Sequence, residues 1–118
     1  DYVVGIACPQ TGRQHQIRVH ALAHGLPLIG DKLYLGSYEI FQNFKDQIAS
    51  KEEHDLMELP RHALHAIAVK IPYKSEKEKV FITHIPADLK EWLQEKTTLD
   101  IEALELKIVK TIKSYYLI

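Results

Sequence analysis

Cysteine, methionine and tryptophan are nearly missing from this chain, with one of each in 118 residues. A single cysteine, Cys8, excludes an internal disulfide framework. Its neighbours Ile6, Ala7 and Pro9 favour a buried, inert thiol over a nucleophile, and such usage suits a reducing compartment. No apolar run approaches the ~20 residues of a membrane-spanning helix, so no membrane association is expected, and no segment resembles a signal peptide. Net charge is also scarce: 15 Lys and Arg stand against 16 Asp and Glu, leaving −1. That balance excludes a protein whose whole surface binds nucleic acid by charge, and leaves room for a local basic cleft. The apolar content, 46%, is enough for one modest core.

Arginine is the scarcest cation. Arg13 and Arg18 lie in Thr11-Gly12-Arg13-Gln14-His15-Gln16-Ile17-Arg18-Val19-His20, Arg61 lies in Leu59-Pro60-Arg61-His62-Ala63-Leu64-His65-Ala66, and every other such cation is lysine. This distribution points to use of the guanidinium fork itself, for bidentate contact with a carboxylate or phosphate or for stacking on a flat ring. Thr11-Gly12 reads as a turn, Gln14 to His24 holds no helix breaker, and Gly25 stands where a left-handed cap would end a helix. At about 100° per residue, Arg18 falls within the stripe of Ile17, Ala21 and Leu22. An unpaired buried charge is costly, so the stripe calls for a carboxylate or an anionic ligand opposite Arg18. The alternative is an arginine at the stripe's edge that snorkels to water.

Elsewhere the pattern is of short elements. Tyr2 to Cys8 reads as a strand and Leu28-Ile29-Gly30 as a short extended stretch. Tyr38 to Ser50 reads as a helix with Ile40, Phe41, Phe44 and Ile48 on one side. Asp46, Glu52, Glu53, Asp55 and Glu58 mark a solvated excursion that would repel RNA. Ala63 to Ile71 alternates as a strand, Pro72 to Lys79 turns the chain, and Val80 to Ile85 returns as another strand. Lys70, Lys74, Lys77 and Lys79 around that hairpin are taken as solubilising charge rather than phosphate contacts. Pro86-Ala87-Asp88 opens a helix faced by Leu89, Trp92 and Leu93. Ile101, Leu104, Ile108, Ile112 and Tyr115 recur at helical spacing behind Asp100, a natural cap, and predict a last helix docked on the domain. There is no internal repeat. The expected fold class is α+β, with a mixed, mainly antiparallel sheet and flanking helices.

Thr11 to His20, followed by Gly25-Leu26-Pro27-Leu28-Ile29-Gly30-Asp31-Lys32-Leu33-Tyr34, resembles the third signature motif of the RluA-type pseudouridine synthases. Arg61 with Leu64-His65-Ala66 resembles the same family's next block, and Phe81 to Leu89, with Pro86 and Asp88, its closing strand and helix. Together these blocks span most of Gly5 to Leu93. The resemblance implies isomerisation of uridine to pseudouridine in ribosomal or transfer RNA, without cofactor or metal, in the cytoplasm. It also implies that Arg18 pairs with a nucleophilic aspartate. The family carries that aspartate in an upstream His-Arg-Leu-Asp stretch followed by Thr-Ser-Gly, with an essential tyrosine beyond it. None of these occurs here, Asp1 begins abruptly, and the only methionine is Met57. The chain is accordingly expected to be a carboxy-terminal fragment, inactive alone. Residues 1–96 would be the carboxy-terminal part of the catalytic domain and 97–118 a helical extension. Leu64 is the expected apolar wall against the target base. Arg13, His15 and Gln16 are expected to organise the site or contact RNA, with Asp31 and His65 structural.

Two rivals belong to other classes. His20 and His24 at i and i+4, with the pair His62 and His65, suggest a metal-binding module, although neither pair contains the carboxylate that a hydrolytic zinc site would use. The other rival is a noncatalytic RNA-binding protein. Oligomeric state is not legible from the sequence.

Overall fold

The computed structural model describes residues 1–118, with Glu76 described by its backbone alone. The fold is α+β: helices α1 (Gln16–Ala23), α2 (Tyr38–Lys45) and α3 (Lys51–Met57), strands β1 (Ala68–Tyr73) and β2 (Glu76–Ile82), then helices α4 (Ala87–Lys96) and α5 (Ile101–Tyr116). The two strands pair antiparallel and form the only sheet among the described residues. The chain divides into two compact units, one of residues 1–6 and 65–118, the other of residues 7–64.

In the first unit, β1 and β2 make the expected hairpin, with Val69 opposite Phe81 and Lys70 opposite Val80. Strand pairing runs closer to the turn than the alternation suggested, and the register slips between Ile71 and Tyr73. The residue between them is Pro72, which has no N–H to give to a ladder. Asp100 caps α5 through its side chain, accepting from the Ala103 N–H. Ile108 and Ile112 are buried with Ile85, and Ile67, Ala68, Ile82, Leu89, Leu104 and Tyr116 pack around them. The last turn departs from the sequence reading: Tyr116 joins this core, while Tyr115 stays exposed. Glu105 ties α5 to the start of α4, accepting from the Ile85 N–H at 3.2 Å and from Lys90 Nζ at 3.0 Å. Three of the four hairpin lysines make contacts within the hairpin: Lys70 pairs with Glu78 at 3.0 Å, and Lys74 and Lys79 both sit over the Tyr73 ring.

The expected strand from Tyr2 to Cys8 does not form. Those residues are irregular and exposed, because no strand among the described residues pairs with them and a lone strand leaves its backbone groups without a ladder. Tyr2 instead meets Trp92 edge-on at 4.8 Å between ring centroids. Cys8, expected to be buried, is an exposed free thiol in this irregular segment.

In the second unit, Tyr38 to Ser50 is not one helix. α2 ends at Lys45, Gln47 takes a positive φ, and Ile48 is 68% exposed rather than part of an apolar face. The acidic excursion holds a helix, α3. Ser50 accepts from the Glu53 N–H while Glu53 accepts from the Ser50 N–H, a reciprocal capping box that stabilises the start of a short helix. Glu53 also accepts from Asn43 of α2 at 3.1 Å, and Phe44 meets His54 edge-on at 4.8 Å. Met57, 1% exposed, ends α3 in the core of this unit.

Candidate active site

α1 begins two residues later than the sequence suggested, because Gln16 closes the preceding loop on itself. Its Oε1 accepts from Thr11 Oγ1 at 2.8 Å and from the Arg13 N–H at 3.2 Å. His15 takes the N-cap position at φ 55 with no side-chain capping bond, and its ring instead reaches Tyr34. The far end follows the expected glycine cap. Gly25, at φ +74, lets the Leu26 N–H reach the Ala21 carbonyl and its own N–H reach that of Leu22, the pattern of a left-handed helix stop.

Leu28-Ile29-Gly30 is a turn rather than an extended stretch. The Asp31 N–H bonds back to the Leu28 carbonyl and Gly30 takes φ +77. A Cβ on Gly30 would lie 2.0 Å from the Arg61 carbonyl oxygen. Only glycine permits this approach, and the Ala63 N–H donates to the Ile29 carbonyl at 2.7 Å beside it. This close passage sets the Arg61 motif against the turn that leads into Asp31.

Within this chain the carboxylate opposite Arg18 is Asp31, expected to be structural, rather than the nucleophilic aspartate that the resemblance implies. Arg18 Nε donates to Asp31 Oδ2 at 2.8 Å and Nη2 to Oδ1 at 2.8 Å. Asp31 is wholly buried and also accepts from the backbone N–H groups of Leu33 and Tyr34, each at 3.2 Å. Burial pushes its carboxyl upward, but the Arg18 bonds and charge and the two backbone donors outweigh that, so it titrates below the usual carboxylate range. The same hydrogen bond raises the Arg18 guanidinium against the opposing effect of burial. Nη1 and one N–H of Nη2 are not used by Asp31, which leaves one edge of the fork for another acceptor.

An open cleft of about 350 Å³ runs along this side of α1, and Arg13, His15, Gln16, Arg18, His62 and Leu64 are among its lining residues. The five residues singled out from the sequence thus lie around one cleft. His62, singled out only as half of a histidine pair, lies there too. Burial lowers its pKa, as do the charges of Arg18, Arg61 and Lys32 against the opposing charge of Asp31, so a neutral imidazole is favoured. Arg61 does not point a free fork into the site: Nη1 donates to the Leu64 carbonyl at 3.1 Å and to that of His62 at 3.3 Å, bracing the segment that carries Leu64. Tyr34 touches two of the lining residues, with its ring beneath Arg18 and its hydroxyl on His15. Among the described residues no group of three or more His, Cys, Asp or Glu side chains could hold a metal ion.

A ribosomal large subunit pseudouridine synthase D from Buchnera aphidicola subsp. Acyrthosiphon pisum is 36% identical over 85 residues, 71% of this chain and 26% of that protein. The chain belongs to the RluA-type pseudouridine synthase family. A chloroplastic RNA pseudouridine synthase 2 from Arabidopsis thaliana is 34% identical over 88 residues, 70% of this chain and 20% of its own length. A dual-specificity RNA pseudouridine synthase RluA from Haemophilus ducreyi is 69% identical over 26 residues, 22% of this chain and 12% of that protein. The chain therefore spans about a quarter or less of the length of these curated relatives. No protein-family model and no solved structure matches it. No helix of the described residues is long and apolar enough to cross a membrane.

Proposed function

We propose that this chain is part of the catalytic domain of an enzyme that isomerises uridine to pseudouridine in ribosomal or transfer RNA in the cytoplasm, without cofactor or metal. Residues 1–96 form the carboxy-terminal part of that domain and 97–118 a helical extension. The observation that carries the reading is the Arg18–Asp31 pair in the wall of a cleft shared with Leu64. Asp31 fixes Arg18 through Nε and Nη2, and the remaining edge of the fork receives the nucleophilic aspartate, supplied by a part of the enzyme outside these 118 residues. A guanidinium beside that carboxylate keeps it ionised and aimed. The target uridine leaves its stack to enter the cleft, Leu64 stands against the base, and Arg13, His15 and Gln16 organise the loop and meet RNA. The base then leaves the ribose through nitrogen, turns over and rejoins through carbon 5, which gives up its hydrogen.

Release of tritium from RNA carrying [5-³H]uridine measures that last event. The longer protein that contains this chain should release label, and the 118 residues alone should not. Turnover by the chain alone would overturn the division of the site, and none by the longer protein would overturn the assignment.

A further inference from the structure

A bidentate pair fixes a guanidinium along two parallel hydrogen bonds, but it leaves the plane free to twist about the axis running from the carboxylate through the fork. For Arg18 that freedom matters, because Arg18 lines the cleft and the edge not used by Asp31 is the one left for a further acceptor. Tyr34 supplies the missing restraint. Its ring lies under the guanidinium, with Arg18 Cζ 5.2 Å from the ring centroid. Its backbone N–H donates to Asp31 Oδ1 at 3.2 Å. Its hydroxyl shares a hydrogen bond of 3.0 Å with His15 Nδ1, and the two rings meet edge-on at 5.8 Å. One residue thus touches the arginine, the carboxylate that holds it and a histidine in the cleft wall.

We propose that Tyr34 is a positioning residue, whose ring face sets the twist of the Arg18 guanidinium and whose hydroxyl sets the His15 ring. The inference rests on the function proposed above for its kinetic readout alone; the geometry stands without it. Tyr34 acts through its neighbours and does not need to touch RNA. The ring attracts the cation through the negative potential of its face, so depleting that face at nearly constant shape should loosen Arg18 without unpacking the loop.

The test places phenylalanine, then mono-, di- and trifluorophenylalanine, at position 34 of the longer protein that contains this chain. Across the series kcat should fall stepwise by about fivefold, with KM within about twofold, and solvent exchange of the Arg18 Nε proton should rise in the same order. Tyr34→Phe alone should change the ¹⁵N shift of His15 Nδ1, because only the hydroxyl is lost. A merely structural ring would give no trend with fluorination. In an active enzyme, flat kcat across the series overturns the proposal. If the wild-type protein releases no tritium, the functional reading fails separately, and the exchange series decides: a rise supports Tyr34 as the restraint on Arg18, and flat exchange overturns it.

Discussion

Arg18 uses a flat, two-pronged contact that lysine cannot reproduce, since an ammonium is a point charge with no fixed fork. On the function proposed above, Arg18→Lys in the longer protein should therefore leave circular dichroism unchanged while kcat drops by about a hundredfold, the cost of misplacing a reacting group by ~1 Å. If Arg18 served only to attract phosphates, the lysine variant would keep kcat at saturating RNA and show a weaker, more salt-sensitive KM. The need for a carboxylate opposite this arginine was legible from the helical stripe. Its identity was not, because Asp31 reaches Arg18 only through the turn at Gly30, thirteen residues away in sequence. His62 was missed as a site residue for a related reason: its place in the cleft depends on the passage of Arg61 beside Gly30, which no local pattern encodes.

Elements were legible where a cap and a periodic face agreed. Gly25 marked the end of α1, and Asp100 with Ile108 and Ile112 marked α5. α3 was hidden because its charges were read before its cap, although Ser50 and Glu53 stand at capping-box spacing. The strand expected from Tyr2 to Cys8 failed for the opposite reason: its residues favour extension, but strand formation requires a partner that a propensity cannot name. Between elements, the contact at Gly30 is the most sensitive point. Gly30→Ala would force a Cβ into the Arg61 carbonyl at a left-handed φ, so it should destabilise by on the order of 3 kcal/mol. Gly12→Ala, where a Cβ meets nothing within 4 Å, serves as the control. Equal urea midpoints for the two variants would show that the close approach is not needed.

Across the whole molecule the resolved shifts of three carboxylates and one histidine point one way, while Arg18 titrates far above the working pH range. Asp31 is lowered because Arg18 and the two backbone donors outweigh burial, Glu53 by the Ser50 backbone and Asn43, and Glu105 by Lys90 and the Ile85 backbone. His62 is lowered by burial and by Arg18, Arg61 and Lys32. Each of these groups binds its proton less readily in the folded chain than in the unfolded one. Each contributes stability that is present above its unfolded pKa and is lost as pH falls through the folded value. The window for His62 opens below about 6.5, and that for the three carboxylates below about 4. The urea midpoint should therefore be level above about pH 7, decline gently toward pH 5.5, and fall more steeply below pH 4. His62→Gln should remove the gentle decline and leave the steep one, because the carboxylates remain. A midpoint that rises on going from pH 7.5 to 5.5 would mean that the His62 imidazolium is welcomed by Asp31 more than it is repelled by the surrounding cations and by burial, and the neutral histidine in the cleft wall would have to be given up.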